Sequence, residues 1–246
     1  MTKTSLHNIS IILRGTKYAG NLGSAARAMH NMGLDQLRLV APQCGIDEEA
    51  HRMACGGSTV LERAKIHKTL KGATKGVSLL IGTTGKTGGK RSQTSNPRSL
   101  APRILAQAAD KQRVGILFGP EDTGLVDDDL LRCQLLIRIP TDPAGRSINL
   151  AQAVMLVSYE LFLASLSREP QRVPRLASIE QVEAMYTQLE RSLLEIGFLH
   201  PQNARHMMFA IRRFFGRAGL EAEDVGILRG MARQIAWIAG RRSRDR

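Results

Sequence analysis

Short apolar runs that alternate with helical patterns restrict the fold of this sequence more than any other feature. From residue 8 to about residue 166, near-continuous β-branched or Leu-rich stretches recur, with helical segments between them. Unbroken apolar strands are typical of parallel sheets whose two faces are both covered by helices. The sequence therefore predicts an α/β domain with a mostly parallel sheet, with strands at residues 9–13, 37–40, 77–81, 114–118 and 135–139.

Two of the predicted helices have distinctive compositions. Residues 21–32 are rich in alanine, and Gly33 follows them as the residue expected just beyond a helix C-terminus. Residues 150–165 are apolar on almost every helical face, so one sheet face cannot cover them all. The remaining faces of this helix pack either against a second subunit or within the interior of the same domain.

A change in composition after residue 166 predicts a second domain. Residues 167–177 contain two prolines and three arginines, which is typical of a linker between a first domain at 1–166 and a second at 178–246. The second domain is predicted to be small and all-helical, with helices opening at Ser178 and covering 201–215 and 221–239. Its cations are all arginine, which suits bidentate phosphate contacts, so it is either an RNA-binding extension or an ordinary solvated helical surface.

The net charge of +13 predicts a polyanionic partner. Nucleic acid is the first candidate and an acidic membrane surface the second. The N-terminal residues lack an apolar signal core, and the most apolar stretch is interrupted by Gln152, Ser158 and Glu160. We therefore expect a cytoplasmic protein with no membrane partner.

Cysteine and aromatic content restrict the kinds of binding site that the chain can form. Cys44, Cys55 and Cys133 are far apart in sequence and form no C-x-x-C pair, so we expect buried thiols in a reducing compartment and no metal site. Aromatic residues make up only 4% of the chain, which argues against recognition of single-stranded bases mainly by stacking.

A glycine-rich segment at residues 82–87 looks like a phosphate loop that ends in Gly-Lys-Thr. The nucleotide-triphosphate motif requires glycine at the position of Leu80, and no helical pattern follows, so that interpretation fails. A strand end with free backbone amides still suits a ligand. Residues 85–103 are predicted to form a mobile loop that either clamps a phosphate backbone or is merely solvated; its basic residues are Lys86, Lys90, Arg91, Arg98 and Arg103.

Three polar segments stand at the edges of predicted strands and helices. In the first, residues 21–27, Asn21 can cap a helix and Gly23 allows close approach of another segment. In the second, residues 117–125, a buried strand breaks into a glycine-bounded turn that carries Glu121. In the third, residues 139–149, Ser147 or Asn149 can cap the long apolar helix. Each segment alone has a purely structural explanation.

Together, in this order and spacing, the segments resemble the three motifs of the SpoU/TrmH class of SPOUT methyltransferases. The first motif, N-x-G-x-x-x-R, is matched by Asn21, Gly23 and Arg27. The second, F-G-x-E-x-x-G-L, is matched by Phe118, Gly119, Glu121, Gly124 and Leu125. The third, I-P followed by S-[LI]-N-x-x-x-A, is matched by Ile139, Pro140, Ser147, Asn149 and Ala153.

The resemblance implies both a fold and an activity. It implies a deep trefoil knot formed by the residues after the third motif, in a homodimer. It also implies methylation of a ribose 2′-hydroxyl by S-adenosylmethionine, without a metal. The C-terminal helices are similar to the domain appended in a branch that acts on nucleotide 32 of the tRNA anticodon loop, so tRNA is the expected partner and DNA is not. The alternatives are ribosomal RNA, another tRNA position, or a non-catalytic RNA-binding scaffold.

Residue roles follow by position from the same resemblance. The residues implied to bind the cofactor are Thr83, Thr84, Gly85, Gly119, Ile139, Arg146, Ser147 and Ile148. Arg27 is implied to accept the proton or to orient the 2′-hydroxyl and phosphate. The residues implied to position the reacting groups are Asn21, Glu121, Ser147 and Asn149.

Overall fold

The chain consists of two compact units, Met1–Val173 and Pro174–Arg246. The computed structural model describes residues 6–86, 94–109, 112–142, 144–145, 147–166 and 175–242. Among the described helices, none is long and apolar enough to cross a membrane.

A six-stranded sheet forms the centre of the first unit. Its order is β3-β2-β1-β5-β4-β6, and every described pair of neighbouring strands is parallel. This confirms the predicted α/β architecture. The strands are β1 (Ile9–Arg14), β2 (Gln36–Val40), β3 (Lys65–His67), β4 (Leu79–Thr83), β5 (Val114–Phe118) and β6 (Leu135–Ile137).

Three strand predictions need correction. β3 is absent from the prediction because it is a short edge strand whose Lys65 and Ile66 are exposed, so it has no apolar run. β4 begins two residues later than residue 77, since the Val77 amide closes a turn on the Thr74 carbonyl at 3.0 Å. β6 ends at Ile137 rather than at residue 139, and the next amide, of Arg138, donates instead to the Ser95 carbonyl at 3.0 Å.

Helices connect and cover these strands. The second of the predicted helices, at 150–165, is confirmed within a residue, and the first begins and ends slightly earlier than predicted. Gly33 has the expected positive φ of 72°. The helices of the first unit are α1 (Ala19–Asn31), α2 (Glu48–Ala54), α3 (Ser58–Glu62), α4 (Leu70–Ala73), α5 (Pro97–Ala109), α6 (Asp127–Leu130) and α7 (Leu150–Leu166).

α5 overturns the C-terminal part of the predicted basic loop at 85–103. The Ser99 amide donates to Asn96 Oδ1 at 2.8 Å, and Pro97 occupies the first helical position, where its missing N–H costs nothing. Arg98 on this helix pairs with Glu160 of α7. The proline and serine content that predicted a loop therefore marks a helix start. Lys90 and Arg91 lie outside the described residues.

α7 packs against α1 and α5, yet only part of its apolar surface is covered. Val154, Val157 and Leu161 are at most 1% exposed. On its other faces Leu156 is 42% and Leu166 60% exposed. The described part of the first unit therefore leaves a large apolar area of this helix uncovered.

The second unit contains α8 (Ile179–Glu195), α9 (Ala204–Ala218) and α10 (Ala222–Arg242). Ser178 caps α8 as predicted, in a reciprocal arrangement with Gln181. Arg212 of α9 forms a bidentate ion pair with Glu183 of α8 and lies over the Tyr186 ring. The core of the unit includes Val182, Met185, Leu189, Leu199, Met208, Val225 and Ala232.

The three cysteines are free thiols, but they are not all buried. The prediction is wrong for Cys55, which is exposed at the start of a short 3-10 helix after α2. Cys44 and Cys133 are partly covered, and burial raises the pKa of both thiols.

Candidate active site

The carboxyl ends of β4, β5 and β6 open into a cavity of about 570 Å³. Open parallel sheets bind ligands at this edge, outside the carboxyl ends of their strands. The cavity is lined by Thr83, Thr84, Gly85, Lys86, Phe118, Gly119, Pro120, Glu121, Asp122, Thr123, Gly124, Leu125, Ile137, Ile139, Ser147, Ile148, Leu150 and Ala153.

The turn after β5 is tightly folded and depends on its two glycines. The Gly124 amide donates to the Pro120 carbonyl at 2.9 Å, and Gly124 has a φ of 66°. A β-carbon at Gly119 would overlap the backbone of Gly124 and Leu125. The turn can close only because glycine occupies both ends, and its closure presents Glu121 to the cavity.

Hydrogen bonds fix the end of β4 beside this turn. Thr83 Oγ1 donates to the Leu117 carbonyl at 3.0 Å, and the Thr84 amide donates to the Ile137 carbonyl at 2.9 Å. The Lys86 amide in turn donates to Thr84 Oγ1 at 3.1 Å. The cavity wall therefore consists of backbone held in place from three adjacent strands.

A chain of side-chain hydrogen bonds joins all three polar segments. Asn149 Nδ2 donates to Asn21 Oδ1 at 2.9 Å, and Asn21 Nδ2 donates to Glu121 Oε1 at 3.0 Å. Asn149 Oδ1 also accepts from the Ala151 amide at 2.9 Å, which caps α7 as predicted. The start of α7 is thus tied through Asn21 to a carboxylate at the cavity.

Asn21 does not cap α1, contrary to its predicted capping role. α1 begins at Ala19, with Tyr18 as the N-cap residue, so Asn21 lies in the first turn and its amide is available to Glu121. Gly23 permits close packing as predicted, because a β-carbon there would overlap the Ala50 carbonyl of α2.

The structure places the predicted site residues in two separate regions. Every residue predicted to bind the cofactor lines the cavity except Arg146, which lies outside the described residues. Glu121 and Ser147 also line it, and Asn21 and Asn149 are bonded to Glu121 directly or through one another. Arg27 is apart: it is exposed, roughly 9 Å further along α1 than Asn21, and its Nη1 contacts Cys55 Sγ at 3.6 Å.

Lys17 is a site residue that the sequence did not reveal. Its backbone amide donates to Glu121 Oε2 at 3.2 Å, and its ammonium pairs with Asp122 at 2.6 Å. This hydrogen bond raises the pKa of Lys17 and lowers that of Asp122. Any residue other than proline offers a backbone amide, so no sequence signal marks such a contact. Among the described residues, no cluster of three or more His, Cys, Asp or Glu could hold a metal ion.

Asn149→Ala should destabilise the first unit by about 1 kcal/mol, because α7 loses its N-cap. Asn149→Asp is the matched control, since a carboxylate still caps the helix but cannot donate to Asn21. Thermal unfolding of the three proteins measures both effects. Equal stability of Asn149→Ala and the native protein would contradict the capping role.

Comparisons with known proteins show the family to which the chain belongs. Residues 8–159 match the SpoU rRNA Methylase family, and residues 180–245 match the C-terminal domain of the tRNA methyltransferase TrmJ. The chain therefore belongs to the SpoU methylase family and is a methyltransferase.

Among curated proteins, the chain is similar to the tRNA (cytidine/uridine/adenosine-2′-O-)-methyltransferase TrmJ of Pseudomonas aeruginosa (strain UCBPP-PA14). The two are 35% identical over 95% of this chain and 96% of the relative. It is also 36% identical to the tRNA (cytidine/uridine-2′-O-)-methyltransferase TrmJ of Pectobacterium atrosepticum, over 94% of this chain and 97% of that protein.

Solved structures give the same result. The crystal structure of TrmJ from Z. mobilis ZM4 matches with a TM-score of 0.78 and 33% identity, over 92% of this chain and 98% of that one. The SpoU methyltransferase AviRb from Streptomyces viridochromogenes, crystallised with AdoMet, matches with a TM-score of 0.53 and 18% identity, over 65% and 58% of the two chains. The latter match concerns the fold alone.

Proposed function

We propose that this enzyme methylates a ribose 2′-hydroxyl of tRNA with S-adenosylmethionine, at nucleotide 32 of the anticodon loop. The observation that carries the proposal is the hydrogen-bonded chain from Asn149 through Asn21 to Glu121, which joins the three motif segments at one cavity. The TrmJ relatives, whose names state tRNA 2′-O-methylation, support the substrate class.

The cavity fits S-adenosylmethionine in size and chemistry. Its volume lies in the range of small-molecule sites, and Ile139 and Ile148 offer apolar contact for an adenine ring. Backbone groups of Thr83–Gly85 and of Gly119 stand at the strand ends, where they can hydrogen-bond a nucleoside. Ser147 adds a hydroxyl at the same wall.

Bound S-adenosylmethionine supplies an electrophilic methyl group, so the protein's part is to align the ribose oxygen and assist loss of its proton. The Glu121 carboxylate is held from two sides, by Asn21 and by the Lys17 amide, and this fixes the wall near the ribose. Arg27 orients the 2′-hydroxyl and the adjacent phosphate. A guanidinium keeps its proton at neutral pH and is a poor base, which favours orientation over proton acceptance.

Two further features belong to the proposal. The uncovered apolar side of α7 supports a homodimer, in which a second copy covers Leu156 and its neighbours. A trefoil knot formed by the residues after the third motif is supported by two hydrogen bonds on the edge of β6 that faces away from β4. There the Ser95 amide donates to the Leu136 carbonyl and the Arg138 amide donates to the Ser95 carbonyl. Modification of tRNA implies a cytoplasmic location.

The helical second unit is proposed to hold the RNA. Arg233 and Arg241 are exposed on α10, and the Arg241 guanidinium lies 4.2 Å from the centre of the Trp237 ring, which is itself 56% exposed. Cations beside an exposed aromatic ring suit a phosphate backbone with adjacent bases.

Trp237 is the only tryptophan in the sequence, so its fluorescence reports on α10 alone. We expect tRNA to quench this emission. The double change Arg233→Ala and Arg241→Ala should weaken tRNA binding, and it should make the salt dependence shallower by about 0.7 to 0.9 for each phosphate that is no longer neutralised. Arg191→Ala on α8 is the matched control. Unchanged emission together with unchanged affinity would contradict RNA binding at α10.

The proposed function is tested by mapping 2′-O-methylated nucleotides in RNA from cells with and without the protein, alongside calorimetry with S-adenosylmethionine. Loss of the methyl group at tRNA nucleotide 32 is the expected result. Loss at ribosomal RNA or at another tRNA position would replace that target. Failure to bind the cofactor at millimolar concentration would instead support a non-catalytic RNA-binding scaffold.

A further inference from the structure

Tyr18 lies in the chain between two residues that are hydrogen-bonded to the cavity wall. It immediately follows Lys17, and Asn21 comes three residues later; both of these neighbours donate hydrogen bonds to Glu121, which lines the cavity wall. The Tyr18 carbonyl accepts from the amides of Asn21 and Leu22 at 3.1 Å, so the start of α1 fixes its backbone. Because both of these chain neighbours are hydrogen-bonded to Glu121, the Tyr18 backbone lies close to that carboxylate.

The ring of Tyr18 is nevertheless 61% exposed, and within the described part of the chain its hydroxyl makes no hydrogen bond. A single exposed aromatic residue is unremarkable in itself. Its position between Lys17 and Asn21 gives it significance, because hydrogen bonds fix its backbone while the ring stacks on no other described residue.

Lys17, the residue before Tyr18, is hydrogen-bonded to the turn after β5. The pKa of Lys17 is raised, foremost by its hydrogen bond to Asp122 and to a smaller extent by Tyr18 and Glu121. The Lys17 ammonium thus binds Asp122 and the Lys17 amide donates to Glu121, and both of these carboxylates line the cavity. Asp122 and Glu121 therefore already have partners, whereas the exposed Tyr18 ring has none among the described residues.

We propose that Tyr18 stacks on the base of the nucleotide whose ribose is methylated. A ribose reaches a buried methyl donor only when its nucleotide leaves the stacked strand, and proteins hold such splayed bases on aromatic faces. Stacking tolerates any base, so Tyr18 positions the nucleotide without selecting its identity. The inference rests on the proposed function, because it requires an RNA substrate at this cavity.

The test compares Tyr18→Phe with Tyr18→Leu, which keeps a bulky apolar side chain but lacks an aromatic face. We measure kcat and KM for tRNA methylation, the dissociation constant of S-adenosylmethionine, and the melting temperature. Tyr18→Leu should lose about tenfold or more in kcat/KM for tRNA, with unchanged cofactor affinity and melting temperature. Tyr18→Phe should retain most of the activity.

Three outcomes would overturn the inference. These are native kcat/KM in Tyr18→Leu, an equal loss in Tyr18→Phe, and a parallel loss of cofactor affinity, which would indicate a structural role for the side chain. Failure of the native protein itself to methylate any tRNA would overturn the proposed function instead, so the two failures are distinguishable.

Discussion

Arg27→Ala is expected to slow methyl transfer roughly 100-fold or more, with little change in the affinity for S-adenosylmethionine. Arg27 is exposed and is absent from the cavity wall, so removing its side chain leaves the cofactor contacts intact. The variant loses the group that orients the 2′-hydroxyl and its phosphate. This loss destabilises the transition state more than it weakens cofactor binding. Single-turnover transfer from labelled cofactor to tRNA, with calorimetry of cofactor binding, measures both quantities.

Two variants sharpen this prediction. Arg27→Lys keeps the charge but loses the bidentate geometry, so it should recover only part of the rate. Arg52→Ala removes another exposed arginine, on the neighbouring helix α2, and should leave the rate unchanged. Methylation by Arg27→Ala at the native rate would remove Arg27 from the mechanism.

Gly119→Ala is expected to weaken cofactor binding by at least about tenfold and to destabilise the first unit by about 1 to 3 kcal/mol. The added β-carbon would overlap backbone atoms of Gly124 and Leu125, and backbone, unlike a flexible side chain, cannot move aside cheaply. The turn must then open, which displaces the cavity wall around Glu121. Calorimetry and thermal unfolding measure the two losses.

Gly226→Ala on α10 is the matched control, because a β-carbon there meets no atom within 4 Å. Alanine is also the better helix former, so this control should be neutral or slightly stabilising. Native cofactor affinity in Gly119→Ala would mean that the turn after β5 is not part of the cofactor site.

The central strands were predictable because burial on both faces leaves continuous apolar runs. β1, β2 and β5 are of this kind, and their predicted and observed limits agree within a residue. The edge strand β3 is exposed, so its residues carry no such pattern. α5 was concealed by Pro97 and Pro102, residues more common in loops, although Asn96 and Pro97 together form an ordinary helix start.

The site residues were predictable to different degrees. The motif resemblance predicted most of the residues that line the cavity, whereas the hydrophobic periodicity predicted only the strand ends on which they lie. The position of Asn21 at the start of an alanine-rich segment predicts helix capping, yet its partners Glu121 and Asn149 are 100 and 128 residues away in sequence. The Lys17 contact spans 104 residues and uses a backbone amide. Pairings at such distances depend on the whole sheet, and no local pattern encodes them.

Those sequence separations affect the order in which the sheet and the site form while the chain is being synthesised. A chain still emerging during synthesis can pair β1 with β2, but Asn21 acquires both of its partners only after Asn149 has been made and α7 has docked. Contacts between residues so far apart in sequence form slowly, because the long loop between them must first close. Most of the sheet can thus precede the site, and an incomplete chain that ends before α7 lacks the Asn149 link that joins the third segment to the other two.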